Sequence, residues 1–146
     1  MRPASLLAVL GAAVLLTACG AAGSGAPLPA ASAGPGENAP TYTIGESYAT
    51  VTHECTTQQT VRITGSTNII ELVEPCRQVV VVGSTNQVVI QTTGTLRIGG
   101  RNQHITVQKV TSGVVQLGGA DNQLVCGSRI SINDTGTGNQ TAGCGG

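Results

Sequence analysis

The sequence has no phenylalanine and no tryptophan, and its only tyrosines are Tyr42 and Tyr48. So little aromatic surface argues against a large ring-lined pocket for a small molecule. Charge is scarce as well: 10% of residues are charged, seven basic against seven acidic, with no run of one sign. That distribution leaves no electrostatic footprint for nucleic acid or for an anionic membrane surface. No apolar run is long enough to span a bilayer as a helix of the mature chain. What is present is 40% hydrophobic residues and 21 glycines in 146 residues, with many Val, Ile and Thr. This suits one domain with a core of β type.

Residues 1–18 carry a single basic residue, Arg2, and then an apolar stretch from Leu6 to Leu16, the profile of a secretory signal peptide. It ends in Leu16-Thr17-Ala18-Cys19, which resembles the bacterial lipobox: an aliphatic residue and two small ones ahead of a cysteine that receives diacylglycerol before cleavage. The alternative is an ordinary signal peptide cut after Ala18, leaving Cys19 as a free thiol. With lipidation, Cys19 is the mature N-terminus and the chain is anchored to the cell membrane on its extracytoplasmic side. Residues 19–41 are rich in Pro, Gly and Ala with almost no apolar bulk. Such a stretch buries too little surface to offset its ordering entropy and is expected to be a disordered tether.

Beyond Tyr42 the chain repeats. Apolar residues two apart come in linked pairs: Val61/Ile63 with Ile70/Leu72, Val79/Val81 with Val88/Ile90, Leu96/Ile98 with Ile105/Val107, and Val115/Leu117 with Leu124/Cys126. In every unit the second pair begins seven residues after the first ends, and successive units are offset by 17 to 19 residues. Period-2 apolarity with no helical signal makes each unit a strand, a tight corner, a strand and a looser corner, and length changes fall in the looser corner. The expected fold is all-β: a short two-sided parallel β-solenoid of about four rungs of 17–19 residues over 61–126. Residues 42–60 and 127–146 follow the template poorly and are expected as irregular N- and C-terminal caps over the open strand edges. The competing fold is an antiparallel meander or sandwich, although hairpins do not require neighbouring units to share inward register.

The tight corners hold Gly65 and Asn68, Gly83 and Asn86, Gly100 and Gln103, and Gly119 and Asn122. Glycine allows a positive φ and asparagine tolerates the left-handed region, so these residues are expected to form turns. Stacked asparagines are also able to form amide ladders; a polar binding row is the functional alternative.

The lipobox, the Pro/Gly/Ala tether and the serial V-x-I-x-G-S-T-N-x-V-x-I units resemble the actinobacterial, especially mycobacterial, lipoproteins grouped as domain of unknown function 3060. The similarity covers roughly residues 55–126. It implies an envelope-attached β-repeat protein and brings no catalytic residue to carry over.

With Cys19 assigned to lipid, Cys55, Cys76, Cys126 and Cys144 remain, an even number that favours disulfides over metal in an exported chain. Four cysteines allow three connectivities. Separations of 21 and 18 residues approximate one solenoid turn, which favours Cys55 with Cys76 and Cys126 with Cys144. Zinc spacing is lacking, and the acids are too scattered for a calcium row. His53 and Cys55 are close in sequence but have no evident orienting partner for nucleophile and base. His104 alternates outward. Glu71 and Glu74 are the only neighbouring acids for a glycosidase pair and read as a solvated strand edge. No nucleophile elbow or Walker loop is present.

No catalytic residue, cofactor or metal is therefore expected. The expected function is a non-catalytic envelope lipoprotein presenting a rigid β-surface to an envelope protein, glycan or lipid; the alternative is an envelope enzyme acting on a glycan or cell-wall component. Outward Val80, Val82 and Val89 are the candidate binding residues. The lipobox yields a direct prediction: the chain extracted from membranes carries an acyl mass on Cys19, and Cys19→Ala leaves an unprocessed or released chain. Intact mass without acyl addition overturns it.

Overall fold

The computed structural model describes residues 39–145. The expected signal peptide, Cys19 and nearly all of the tether lie outside those residues.

Period-2 alternation places every expected inward residue, from Val61 to Cys126, in one buried stack. The strands that carry them are all parallel. One ladder runs from β1 (Thr41–Ile44) through β3 (Thr60–Ile63) to residues 78–81 of β4 (Ile69–Val81) and 95–98 of β5 (Gln87–Ile98). It continues through β7 (Val114–Leu117) to β9 (Ser131–Asp134). The other ladder starts at β2 (Thr50–Glu54), takes the first halves of β4 and β5, and ends through β6 (His104–Val110), β8 (Gln123–Cys126) and β10 (Gln140–Ala142). The chain is a β-solenoid of about six turns. Parallel pairing across turns excludes the antiparallel alternative, because a hairpin would pair β3 antiparallel with residues 69–72, whereas β3 pairs in parallel with residues 78–81 one turn on.

The stack thus extends beyond the four expected rungs. Residues 42–60 and 127–146, expected as irregular caps, supply the first and last turns. Tyr42 lies opposite Val61, Ile44 opposite Ile63, Val51 opposite Ile70 and His53 opposite Leu72, so the first turn keeps the inward register with two ring-bearing side chains in place of aliphatic ones. Those rings stack, with centroids 3.8 Å apart and planes within 1°, and His53 Nε2 lies 2.8 Å from Gln59 Oε1. At the other end Ile132, Asp134 and Thr141 occupy the slots of Val115, Leu117 and Leu124. Inward slots turn polar where no further turn covers them. An aliphatic template does not register either substitution.

The looser corner is more ordered than its variable length suggests. Pro75 and Cys76 pair with Thr92 and Thr93, which pair with Lys109 and Val110, so β4 and β5 continue around this side. The register shift between Leu72 and Pro75, with Glu74 at φ 67°, absorbs one length change as a bulge. Gly113, at φ 69°, takes up another. Cys55, Cys76, Thr93 and Val110 are buried here, and the Thr93 hydroxyl donates to the Thr95 carbonyl at 2.9 Å.

The tight corner holds the turns together. Asn68, Asn86, Gln103 and Asn122 are each about 1% exposed. Each side-chain carbonyl accepts from the backbone N–H of the equivalent residue one turn earlier: Asn68 from Ala49 at 2.9 Å, Asn86 from Asn68 at 3.0 Å, Gln103 from Asn86 at 3.1 Å and Asn122 from Gln103 at 3.0 Å. Each side-chain NH₂ donates back to the corner carbonyl of that earlier turn, to Glu46, Gly65, Gly83 and Gly100. Asn139 of an unanticipated fifth motif, Gly136-Thr-Gly-Asn139, extends the column to Asn122 at 3.0 Å and itself donates to Asp134 Oδ1 at 2.8 Å. The side chains thus bond chiefly to backbone rather than to one another, and no buried side-chain polar atom among the described residues lacks a partner.

The corner glycines act through close approach more than through φ. A Cβ on Gly65 or Gly83 would overlap the carbonyl oxygen of Glu46 or Gly65 in the turn before. The left-handed residue common to the corners is the third one, Tyr48, Thr67, Thr85, Asn102, Asp121 and Gly138, at φ between 52° and 67°. The expectation that the motif glycine and asparagine supply the left-handed backbone holds for Gly100 and Gly119, at φ 82° and 75°, and is corrected for Gly65, Gly83 and the motif amides; Asn102 alone is an asparagine at the third position, where the third motif is shifted by one place in sequence.

The bridges Cys55–Cys76 and Cys126–Cys144 form as expected, with Cα atoms 4.9 and 4.8 Å apart. These Cα separations are those of adjacent rungs. The second ties the terminal residues beside the last turn, where the Ile130 N–H donates to the Cys144 carbonyl at 3.3 Å.

Two outcomes follow from this packing. Asn86→Ala leaves the buried Asn68 N–H and Gly65 carbonyl without their side-chain partner and lowers unfolding free energy by about 2 kcal/mol or more, whereas Ser66→Ala on the corner's outer edge costs under about 0.5 kcal/mol; chemical denaturation compares them. Replacing Cys126 and Cys144 by serine lowers stability by roughly 3 kcal/mol and raises hydrogen exchange in β10 before it does so in β5. Equal exchange increases in both strands would contradict a local role.

Candidate functional site

Burying the inward set leaves two outward faces whose residues are fixed in rows by the parallel register. On the first ladder the middle row reads Thr43, Arg62, Val80, Arg97, Gln116 and Asn133. Beside it runs a row beginning Thr41, Thr60, Gln78 and Thr95. On the second ladder Glu71 lies between Thr52 and Val89, and Val89 between Glu71 and Thr106.

The structure therefore divides the three candidate valines. Val80 is half-buried and Val82 is 39% exposed, both on the first face, and both line a groove of about 560 Å³ with Arg62, Gln78 and Arg97. Val89 is outward and half-buried on the second face. The corner from Gly83 to Asn86 turns the chain from one ladder to the other, so alternation alone points all three outward without placing them on one surface. A single apolar row of Val80, Val82 and Val89 is corrected to a Val80/Val82 patch.

The faces also differ in charge. Arg62 and Arg97 are exposed and have no hydrogen-bond or ion-pair partner among the described residues. No Asp or Glu takes an outward strand position on their face, while the second face carries Glu54 and Glu71, and the basic residues of its strands, Arg77 and Lys109, lie on the continuation around the looser corner. The two arginines escape a motif search because each is a lone cation in an apolar triplet, Val61-Arg62-Ile63 and Leu96-Arg97-Ile98. Their common slot, on either side of Val79-Val80-Val81, is visible only after the units are aligned by their inward residues.

The remaining candidates are placed as follows. The column Gly65, Asn68, Gly83, Asn86, Gly100, Gln103, Gly119 and Asn122 is buried or stacked at the tight corner, where its polar groups bond to the neighbouring turns rather than facing a ligand. All four cysteines of the described residues are bridged, which removes Cys55 as a partner nucleophile for His53. His104 is exposed between Gln87 and Gln123. Glu71 stands on the second face and Glu74 in the bulge. Among the described residues no group of three His, Cys, Asp or Glu side chains is placed to hold a metal ion. The first face offers guanidinium, hydroxyl and amide groups around an apolar floor, a set suited to non-covalent recognition.

Comparisons with protein-family models, with curated proteins and with solved structures match nothing to this chain.

Proposed function

We propose that the chain is a non-catalytic lipoprotein of the cell envelope, held at the membrane by lipid on Cys19, whose solenoid presents a rigid β-surface for binding or structural interaction. The observation that carries this reading is the fixed register of the outward rows over about six turns. The buried amide column sets that register, so the outward side chains keep their spacing without help from a ligand, which lowers the ordering cost of binding along the face. The signal-peptide profile, the lipobox, the Pro/Gly/Ala segment and the two disulfides support an extracytoplasmic place of work. The resemblance to the lipoproteins of domain of unknown function 3060 points the same way. The partner belongs to the envelope: a protein, a glycan or a lipid.

Detergent-solubilised full-length chain, incubated with isolated cell-wall sacculi and with membrane fractions, binds at least one of them saturably and leaves the glycan mass unchanged. Release of soluble glycan fragments would overturn the non-catalytic reading in favour of an envelope enzyme. Failure to bind any fraction would overturn the binding reading.

A further inference from the structure

Two unpaired arginines stand in the same outward slot on either side of one small apolar residue. The register sets Arg62 opposite Val80 and Val80 opposite Arg97, which places the two backbone positions two rungs, roughly 10 Å, apart along the stacking axis. Thr60 and Gln78 flank them and add hydroxyl and amide groups to the same groove. A second depression of about 260 Å³ shares Gln78 and Arg97 with the first and reaches Val114 and Gln116 of β7. Together they run from Thr41 in the first turn to Gln116 in the fifth, roughly 20 Å along the axis and across the strands.

Each feature narrows the ligand. Unpaired guanidiniums with no carboxylate in the outward strand positions of their face call for an anion, and the planar fork of arginine suits carboxylate. Two cations spaced along one axis call for charges that recur along a chain. The hydroxyl and amide rows call for a ligand rich in hydroxyl groups. A groove that is shallow, long and without aromatic residues fits a strand lying along it better than a compact molecule inserted into it. A lipid surface is less well matched, since Val80 and Val82 are the only apolar pair between the arginines and no lysine cluster or aromatic anchor accompanies them.

We propose that the groove centred on Val80 binds a linear anionic polysaccharide whose carboxylates recur at an interval near the Arg62 to Arg97 spacing. Arg62 and Arg97 each hold one carboxylate, the Thr60 and Gln78 side chains bond ring hydroxyls, and Val80 packs against a sugar face between them. This deepens the binding reading and rests on it, by naming the ligand class and the face.

Polygalacturonate serves as the probe and neutral dextran as its control, measured by titration calorimetry or affinity electrophoresis with the solubilised full-length chain. The wild-type chain binds polygalacturonate, more weakly as salt is raised, and does not bind dextran. Arg62→Gln with Arg97→Gln weakens binding by roughly tenfold or more. Val80→Glu, which puts a carboxylate between the arginines, does the same, and Lys109→Gln on the looser corner leaves binding unchanged. Circular dichroism reports whether each variant is folded; the outward position of all these residues and the use of two independent replacements keep the groove testable if one variant unfolds.

Equal affinity of folded wild-type and Arg62/Arg97 chains for polygalacturonate overturns the site. Binding of none of polygalacturonate, sacculi and membrane fractions overturns the ligand and the binding reading together. Saturable binding to sacculi that survives both folded variants overturns the ligand and face but leaves the binding reading standing. Preferential capture by phosphatidylglycerol vesicles of the chain freed of its lipid by Cys19→Ala, with no glycan binding, replaces the glycan by a lipid surface and overturns the proposal.

Discussion

The structure depends on the polar side chains buried at its four interior tight corners, Asn68, Asn86, Gln103 and Asn122. A parallel stack of strands is held within each ladder by backbone hydrogen bonds, but at a corner the backbone turns away from ladder geometry and its N–H and C=O groups need other partners. Asn68, Asn86, Gln103 and Asn122 supply them in both directions, accepting from one backbone group and donating to another, and Asn139 accepts from the Asn122 N–H while donating to the Asp134 side chain. The same column requires glycine a few residues earlier, because the preceding turn's carbonyl lies where a Cβ would be. Glycine and amide are thus two halves of one constraint, close approach and polar satisfaction. Gln103 fills its slot with one more methylene and makes the same pair of backbone hydrogen bonds, to the Asn86 N–H and the Gly83 carbonyl.

A stack built this way has the problem of stopping. Among the described residues each interior turn is covered on both sides, and the first and last are covered on one. The N-terminal turn departs from the repeat where a preceding turn would otherwise fit: Glu46 stands in the glycine slot and Ala49 in the amide slot. A Cβ at the glycine slot is incompatible with a preceding corner in the same register, so the first turn presents an edge that another turn of this type does not extend. The Tyr42 and His53 rings lie at the end of the apolar column there. At the far end the inward slots become Asp134 and Thr141, and Asp134 terminates the amide column by accepting from Asn139 and from the Gly136 N–H. Disulfides sit next to both terminal turns, where fewer neighbouring contacts resist opening.

With the core and corners so constrained, the outward residues are left to vary, and they do so differently on the two faces. Thr, Gln and two arginines dominate the first; Gln, Thr, Val and two glutamates the second. Neither set enters the core, so their difference in charge has no role in holding the stack, and the spacing of Arg62 and Arg97 is inherited from the register rather than from any contact between them.

Much of this was legible in the chain. The fixed seven-residue link between apolar pairs determined which residues are buried and favoured parallel stacking over an antiparallel meander, since turns that repeat in register make that spacing useful. Cysteine separations of about one turn determined the disulfide pairing once stacking was assumed. Tertiary structure decided what an aliphatic template does not count. Tyr42 and His53 take the inward register of a further turn, where their rings stack on each other at the exposed end of the column. Gly136 and Asn139 continued the corner column although the strands around them had lost their apolar pairs. Alternation determined that Val80 and Val89 face outward, but not on which face, because the corner between them moves the chain from one ladder to the other. The pairing of Arg62 and Arg97 across Val80 was likewise decided in three dimensions: residues 35 apart in sequence become neighbours at two rungs' distance only when the intervening turns are wound at constant register.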